Sequence, residues 1–143
     1  LDDFTRAYVE AILWAETDDE ENQLQNNYEV SDFEFQSMND IIEECKQFQL
    51  NNWDHIQNNL SDAGHDFWMT RHGHGVGFWD GDWPDPAGDI LTKACKEMGE
   101  AYVSEDGAGN LTYQSSWLNK FRTSSLLPPV AAIPVGGKRY IDI

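Results

Sequence analysis

Apolar residues recur at spacings of three and four in four stretches of the chain, a pattern that predicts four amphipathic helices. The first helix is expected to begin at Asp2 or Asp3, because a carboxylate suits the N-cap position. The second is expected to begin at Ser31 or Asp32. Residues 16–22 have no apolar side chain and predict a solvated connection between the two.

The second helical pattern is interrupted by two asparagines, Asn51 and Asn52. A third helix is expected to follow them and to end near Gly64. The fourth helix is predicted from Pro86 to Gly99, with the glycine as its C-cap. Helices therefore account for most of the chain up to residue 99.

Two hairpins complete the predicted fold. Phe67–Arg71 and Gly75–Trp79 are rich in aromatic residues around a glycine-containing turn and predict the first hairpin. Ala101–Ser104 and Asn110–Tyr113 predict the second, across an Asp-Gly turn. We expect an α+β fold, in which about four helices pack on a small antiparallel sheet of two hairpins.

The last thirty residues differ from the rest, so we predict a single acidic α+β domain over 1–113 and a C-terminal extension over 114–143. Gln114–Arg122 predicts a short helix. Leu126–Val135 contains three prolines and no charge, and is expected to be extended. Such a segment either lies along its own domain or a symmetry mate, which we favour, or docks on another chain.

Charge narrows the choice of partner. The 26 acidic residues outnumber nine Lys and Arg, which gives a net charge of −17. Residues 1–62 carry sixteen acids and two bases, whereas residues 107–143 carry one acid and four bases. Direct binding to nucleic acid is disfavoured, because Lys and Arg supply most of the affinity for phosphates. A protein partner with a basic surface, or simple solubility, is the natural interpretation.

Composition predicts a core that needs neither metal nor disulfide. At 143 residues with 40% hydrophobic side chains, one domain can bury most of its apolar surface. Cys45 and Cys95 lie in helical patterns and are expected to be reduced core thiols in a cytosolic protein, with a disulfide between them as the less favoured alternative. No membrane association is expected, because no apolar run approaches the roughly 18 residues of a membrane span. No signal peptide is expected before Phe4.

Residues 64–83 hold the most unusual chemistry, with three of the four histidines, three of the six tryptophans and five glycines. His72 and His74 are two residues apart, so they would share one face of a strand. The favoured interpretation is a structural or recognition hairpin in which Arg71 pairs with Asp66, Asp80 or another carboxylate. The characteristic side chains of this signature hairpin are His65, Asp66, Arg71, His74, Trp79 and Asp80.

A metal site is the alternative interpretation of the same region. Imidazoles and carboxylates are the ligands that zinc, manganese and iron use in proteins. The candidate ligands are His65, Asp66, His72, His74 and Asp80. Gly73 and Gly75, however, flank His74 and favour a tight turn with an exposed imidazole. We therefore assign no metal ligand and no cofactor.

A resemblance adds to these patterns. Residues 63–81, AGHDFWMTRHGHGVGFWDG, resemble a motif that recurs in small acidic uncharacterised proteins encoded by bacteriophages. Residues 3–19 and 88–96 are similar to other segments of the same group, so the likeness covers about residues 2–113 and not the extension. The group commonly has Asn where this chain has His72. The resemblance implies a phage origin and the cytoplasm of a bacterial host, and it supplies no catalytic residues.

The favoured prediction is a non-enzymatic phage accessory protein that binds a host or phage protein with a basic surface. Its sharpest form is a DNA mimic that inhibits a host nucleic-acid-binding or defence protein. The acidic side chains expected to form the binding surface are Glu16, Asp18, Asp19, Glu20, Glu21, Asp40, Glu43 and Glu44. Two alternatives stay open: a small metal-dependent hydrolase or metal-binding protein built on the histidine region, and a structural component of the virion.

Overall fold

The computed structural model describes residues 1–122, which form five α-helices and one two-stranded antiparallel sheet. The predicted α+β class is confirmed. The helices are α1 Asp3–Ala15, α2 Phe35–Ile56, α3 Leu60–Arg71, α4 Ala87–Met98 and α5 Ser116–Arg122. The strands are β1 Ala101–Glu105 and β2 Leu111–Ser115, and the 3-10 turns between α1 and α2 are Leu24–Asn26 and Val30–Asp32. The predicted extended segment Leu126–Val135 lies outside the described residues.

Local sequence signals set several of these boundaries. Asp2 is the N-cap of α1, and its Oδ1 accepts a hydrogen bond of 2.7 Å from the backbone N–H of Thr5. Gly99 is the C-cap of α4 with φ of 80°. The predicted interruption at the two asparagines is a kink within α2, where Asn52 has non-helical angles (φ −129°, ψ 17°). The two caps lie at predicted helix ends, whereas α2 begins at Phe35 rather than at the predicted Ser31 or Asp32, and the asparagines mark a kink rather than an end.

The predicted first hairpin, over Phe67–Arg71 and Gly75–Trp79, is wrong, because α3 continues through residue 71. Aromatic residues favour strands, but their propensity is outweighed here by packing against α1. Buried positions of α3 follow the helical spacing of three and four rather than two. These positions include Ala63, Gly64, Phe67, Trp68 and Arg71.

Gly64 permits the close approach of α3 to α1, which make the most extensive contact between any two elements of the described residues. A Cβ atom built on Gly64 would lie 2.0 Å from the carbonyl oxygen of Phe4 and 3.1 Å from Cβ of Ala7. The glycine that was expected to end the helix therefore lies inside it. Glycine is needed at this position because the backbone of α1 packs closely against it, not because the helix ends there.

The connection between α3 and α4, residues 72–86, is anchored by two buried aromatic rings, Phe78 and Trp83. The backbone N–H of Phe78 donates to Oγ1 of Thr70 at 3.1 Å. Trp83 Nε1 donates to Oδ2 of Asp66 at 2.7 Å. These contacts attach the glycine-rich connection to α3 without any strand pairing.

The predicted second hairpin is confirmed, with Ala101 opposite Ser115 and Glu105 opposite Leu111. β2 adjoins α2, and α5 follows it directly and buries Leu118 in the same core. The predicted boundary after residue 113 stays a prediction, although this packing ties α5 to the domain. Cys45 and Cys95 are buried free thiols, as expected. No helix among residues 1–122 has the length and apolar character needed to cross a membrane.

Candidate functional sites: a glutamate–histidine cluster and an acidic surface

The histidines of the predicted signature hairpin separate into two groups. His72 and His74 meet Glu16 at the C-terminal end of α1. His65 and Asp66 lie on α3 and interact with each other, with 3.0 Å between Nδ1 and Oδ1. The structure therefore does not build one site from the predicted metal region, which is His65, Asp66, His72, His74 and Asp80.

His65 and Asp66 border an open depression of about 400 Å³ that Asp80 and Trp83 also line. Oδ2 of Asp66 accepts a hydrogen bond of 2.7 Å from the indole N–H of Trp83. Oδ1 of Asp80 accepts a hydrogen bond of 3.3 Å from the backbone N–H of Asp82. These carboxylates hold the connection between α3 and α4, which agrees with a structural role for this part of the signature.

Glu16, His72 and His74 form a second cluster, the glutamate–histidine cluster. Their ligand-type atoms lie within 4.8 Å of one another, and no other group of three such side chains does so among residues 1–122. His72 Nε2 lies 3.1 Å from Oε1 of Glu16, and His74 Nε2 lies 2.6 Å from Oε2. Gly73 separates the histidines with φ of 77°, the left-handed turn that the sequence predicted.

Neighbouring groups fix the orientation of this cluster. Trp68 Nε1 donates to Oε2 of Glu16 at 2.8 Å, and the indole stacks on the ring of His72 with centroids 4.8 Å apart. His72 Nδ1 lies 2.9 Å from the carbonyl oxygen of Ala101, at the start of β1. The cluster thus joins the C-terminal ends of α1 and α3 to the hairpin. The side chains of Glu16, His72 and His74 are 15%, 26% and 30% exposed, so water reaches all three.

The interactions within the cluster shift two pKa values in opposite directions. Partial burial raises the pKa of Glu16, but hydrogen bonds from His72, His74 and Trp68 outweigh it, and the net pKa lies below its ordinary value. The hydrogen bond with Glu16 raises the pKa of His72 above its ordinary value, although burial acts against it. The cluster therefore favours a negative carboxylate beside a positive charge.

Arg71 is buried and pairs with Glu44 of α2, rather than with Asp66 or Asp80. Its Nη1 also donates to the hydroxyls of Tyr8 (3.2 Å) and Tyr113 (3.1 Å), and its Nε donates to the carbonyl oxygen of Gly99 (2.9 Å). The expectation that a carboxylate tethers Arg71 is correct. Because the pair has no exposed surface, Arg71 is a packing element and is closed to an anionic ligand from solvent.

The structure divides the eight acids of the predicted binding surface. Glu44 and Asp40 are buried in the face of α2 that packs on the core. The prediction that they belong to the binding surface is therefore wrong. Glu16 faces the histidines, and Glu43 is half-buried. Asp18 is half-buried in a turn, where its Oδ1 accepts hydrogen bonds from two backbone N–H groups. The exposed remainder is Asp19, Glu20 and Glu21.

The hairpin of β1 and β2 adds Glu105 and Asp106 to this group of exposed acids. The backbone N–H of Asp19 lies 3.3 Å from Oε1 of Glu105, and Tyr28 donates its phenol hydrogen to the same carboxylate. The hydrogen bond to Glu105 and the nearby charges of Glu105, Asp106 and Asp18 raise the pKa of Tyr28 to about 12. We call this surface the acidic cluster; it consists of Asp18, Asp19, Glu20, Glu21, Glu105 and Asp106.

Large aromatic side chains are exposed at several places on the described surface. Trp79 of the signature segment is 51% exposed, and Trp14 is 54% exposed with its ring 6.4 Å from that of His65. Tyr102 of β1 is exposed and its ring meets that of His72 edge-on. Aromatic rings are enriched at the centres of protein interfaces. Their exposure is therefore compatible with a binding function.

Three carboxylates make contacts that were not predicted from the sequence. Glu16 was placed in a solvated connection, Glu44 on an exposed helix face, and Glu105 had no assigned function. A signal was available for Glu44, because it precedes Cys45 on the α2 face that also holds Ile41 and Phe48. No comparable signal existed for Glu16 or Glu105, since their contacts depend on how distant segments pack.

Comparisons with protein-family models, with curated proteins and with solved structures found no match to this chain.

Proposed function

We propose that this protein acts by binding another protein through the acidic cluster, and that the partner presents a basic surface. The observation that carries the proposal is the position of Tyr28. Its phenol donates a hydrogen bond to Glu105, and the charges of Asp106 and of Asp18, from a distant segment, also raise its pKa. A single acidic loop is commonly just a solvated connection. The convergence of a loop and a hairpin turn concentrates negative potential at one place.

The charge of the whole chain supports the same proposal. A net charge of −17 leaves few bases to oppose the field of the cluster, and complementary potentials steer encounter with a basic partner. Residues 1–62 contain only Arg6 and Lys46 as bases. The phage origin and host cytoplasm that the sequence resemblance implies make a host protein the natural partner class. In the more specific form of the proposal, the partner is a DNA-binding protein and the acidic cluster takes the place of DNA phosphates.

Capture from bacterial lysate at low salt tests the proposal with two charge-matched variants. The first neutralises the exposed part of the cluster, as Asp19→Asn, Glu20→Gln and Glu21→Gln. The second is the control and removes three exposed acids elsewhere, as Glu10→Gln, Asp54→Asn and Glu97→Gln. The proposal predicts that the cluster variant loses a partner that the wild type and the control variant both retain.

Equal capture by all three proteins, or equal loss from both variants, would reject the acidic cluster as the binding surface. Equal loss would mean that net charge alone determines retention. Addition of duplex DNA to the captured complex tests the mimic form separately. Release of the partner by DNA supports mimicry, and a partner that stays bound limits the proposal to a basic surface unrelated to DNA.

A further inference from the structure

The glutamate–histidine cluster has the composition of a metal site, and its function is independent of the acidic cluster. We propose that Glu16, His72 and His74 bind one divalent first-row transition ion such as Zn²⁺, with water completing the coordination. Two imidazoles and one carboxylate form a three-ligand set that such ions accept with an open position for water. Glu16 and His72 are the C-caps of α1 and α3, and His74 lies in the connection after α3, so the ion would join these two helices.

The hydrogen bond of His72 to Ala101 leaves the Nε2 of a neutral ring unprotonated beside Glu16. A carbonyl oxygen can only accept, so the contact between Nδ1 of His72 and the oxygen of Ala101 places a proton on Nδ1. The neutral ring then has a lone pair on Nε2, which lies 3.1 Å from Oε1 of Glu16. A lone pair facing a carboxylate is unfavourable. A proton shared by the two atoms, or a metal ion bound by both, removes the conflict.

The surroundings of His72 match those of a metal-ligating histidine. Such histidines usually donate their other ring N–H to a carbonyl or carboxylate, which fixes the ring and the tautomer. Ala101 provides that carbonyl, and the stacked ring of Trp68 limits rotation of the imidazole. The indole N–H of Trp68 also holds Oε2 of Glu16, so Oε1 is the carboxylate oxygen placed toward His72.

The spacing of the ligand atoms fits an ion after a small adjustment. Tetrahedral bonds of about 2.0–2.1 Å separate neighbouring ligand atoms by about 3.3 Å. Oε1 of Glu16 lies 3.1 Å from Nε2 of His72, and Oε2 lies 2.6 Å from Nε2 of His74. One ligand atom from each side chain lies within 4.8 Å of the others, so an ion bound to Oε1 needs the imidazole of His74, in the connection after α3, to shift toward it. The partial exposure of all three side chains gives an ion access from solvent.

Calorimetric titration of the chelator-treated full chain with Zn²⁺ tests the site. We expect one saturable equivalent that a large excess of Mg²⁺ does not displace, because hard cations prefer oxygen ligands to imidazole. His72→Gln and His74→Gln should each weaken binding by at least about tenfold. His65→Gln and His55→Gln are the matched controls and should bind as the wild type does, since neither residue belongs to the cluster.

Two independent readouts accompany the titration. Co²⁺ should give the visible absorption of a four-coordinate complex in the wild type and not in His74→Gln. Saturating Zn²⁺ should raise the Tm of the wild type but not of the two cluster variants, because an ion that binds only the folded state stabilises it. Absence of a stoichiometric equivalent in the wild type overturns the proposal. Unchanged affinity in both cluster variants also overturns it, since the ion would then lie on other carboxylates.

Discussion

Arg71 and Glu44 form an ion pair in which neither side chain has any exposure to solvent. The pair connects the last turn of α3 to the middle of α2, and Ser115 of β2 donates a hydrogen bond to the same carboxylate. Two tyrosine hydroxyls, from Tyr8 and Tyr113, lie within 2.7 Å of each other beside it. The burial of both tyrosines raises the pKa of each hydroxyl, so both stay neutral. This polar network ties α1, α2, α3 and β2 together inside an otherwise apolar core.

Removal of one member of the pair is expected to be costly. Arg71→Met leaves the carboxylate of Glu44 buried without its counter-charge, and such a change lowers the free energy of unfolding by about 3–5 kcal/mol. Urea denaturation followed by tryptophan fluorescence measures the loss. Arg6→Met is the control, because Arg6 is exposed on α1. A loss from Arg71→Met no larger than that from the control would contradict the structural role of the pair.

The contact between α1 and α3 depends on Gly64. Gly64→Ala would place a methyl group 2.0 Å from the carbonyl oxygen of Phe4, so the helices must move apart. We expect a loss of about 1–3 kcal/mol in the free energy of unfolding, as for other overpacked cores. Gly75→Ala is the matched control, because no atom lies within 4 Å of a Cβ built there. Equal stability of the two variants would show that the close approach is absent in solution.

Much of this fold could be predicted from local patterns. The N-cap at Asp2, the kink at Asn52 and the C-cap at Gly99 are properties of short segments, and each appears where expected. The hairpin of β1 and β2 followed from its Asp-Gly turn. These features depend on residues that are close together in the chain, so they can be predicted from a single sequence.

The error at α3 has a different origin. Phe67 and Trp68 have strand propensity, and Gly64 has the character of a helix end, so local signals favoured a hairpin. Tertiary contact with α1 reverses both signals: the rings pack on Tyr8, and the glycine admits the backbone of Phe4. The same holds for the candidate sites. The meeting of Glu16 with two histidines, and of the acidic loop with the hairpin, depends on packing between distant segments.

The interaction of Glu16 with His72 predicts a pH window for stability. The pKa of His72 is raised by its hydrogen bond with Glu16, so its contribution is complete below the ordinary value of 6.5 and is lost as pH rises through the folded value. The pKa of Glu16 is lowered, because burial is outweighed by hydrogen bonds from the histidines. Its contribution is present above 4.5 and is lost as pH falls through the folded value. The two contributions coexist between 4.5 and 6.5.

Unfolding of the wild type and His72→Gln in the presence of a chelator checks this window. Because the site is partly exposed, we expect the variant to lose less than about 1 kcal/mol near pH 5.5. The difference should shrink as pH rises through the raised pKa of His72, because the imidazole then loses its proton. A difference that is constant, or that grows with pH, would refute the assigned interaction.

The two cysteines are expected to be unreactive in the folded protein. Burial raises the pKa of the Cys45 and Cys95 thiols, so little thiolate is available to react. A colorimetric thiol reagent should therefore modify neither residue rapidly in native buffer and should detect two thiols after denaturation in guanidinium. Rapid native modification, or the recovery of fewer than two thiols from reductant-free denatured protein, would contradict the buried and reduced state.

The salt dependence of partner binding tests the role of the acidic cluster most directly. For a captured partner, the Kd of the wild type should rise steeply as salt increases, because screening weakens contacts between exposed charges. The variant with Asp19→Asn, Glu20→Gln and Glu21→Gln should bind more weakly at low salt and respond less to added salt. The control with Glu10→Gln, Asp54→Asn and Glu97→Gln should keep the wild-type affinity and slope. Identical salt curves for the two variants would contradict a localised acidic binding surface.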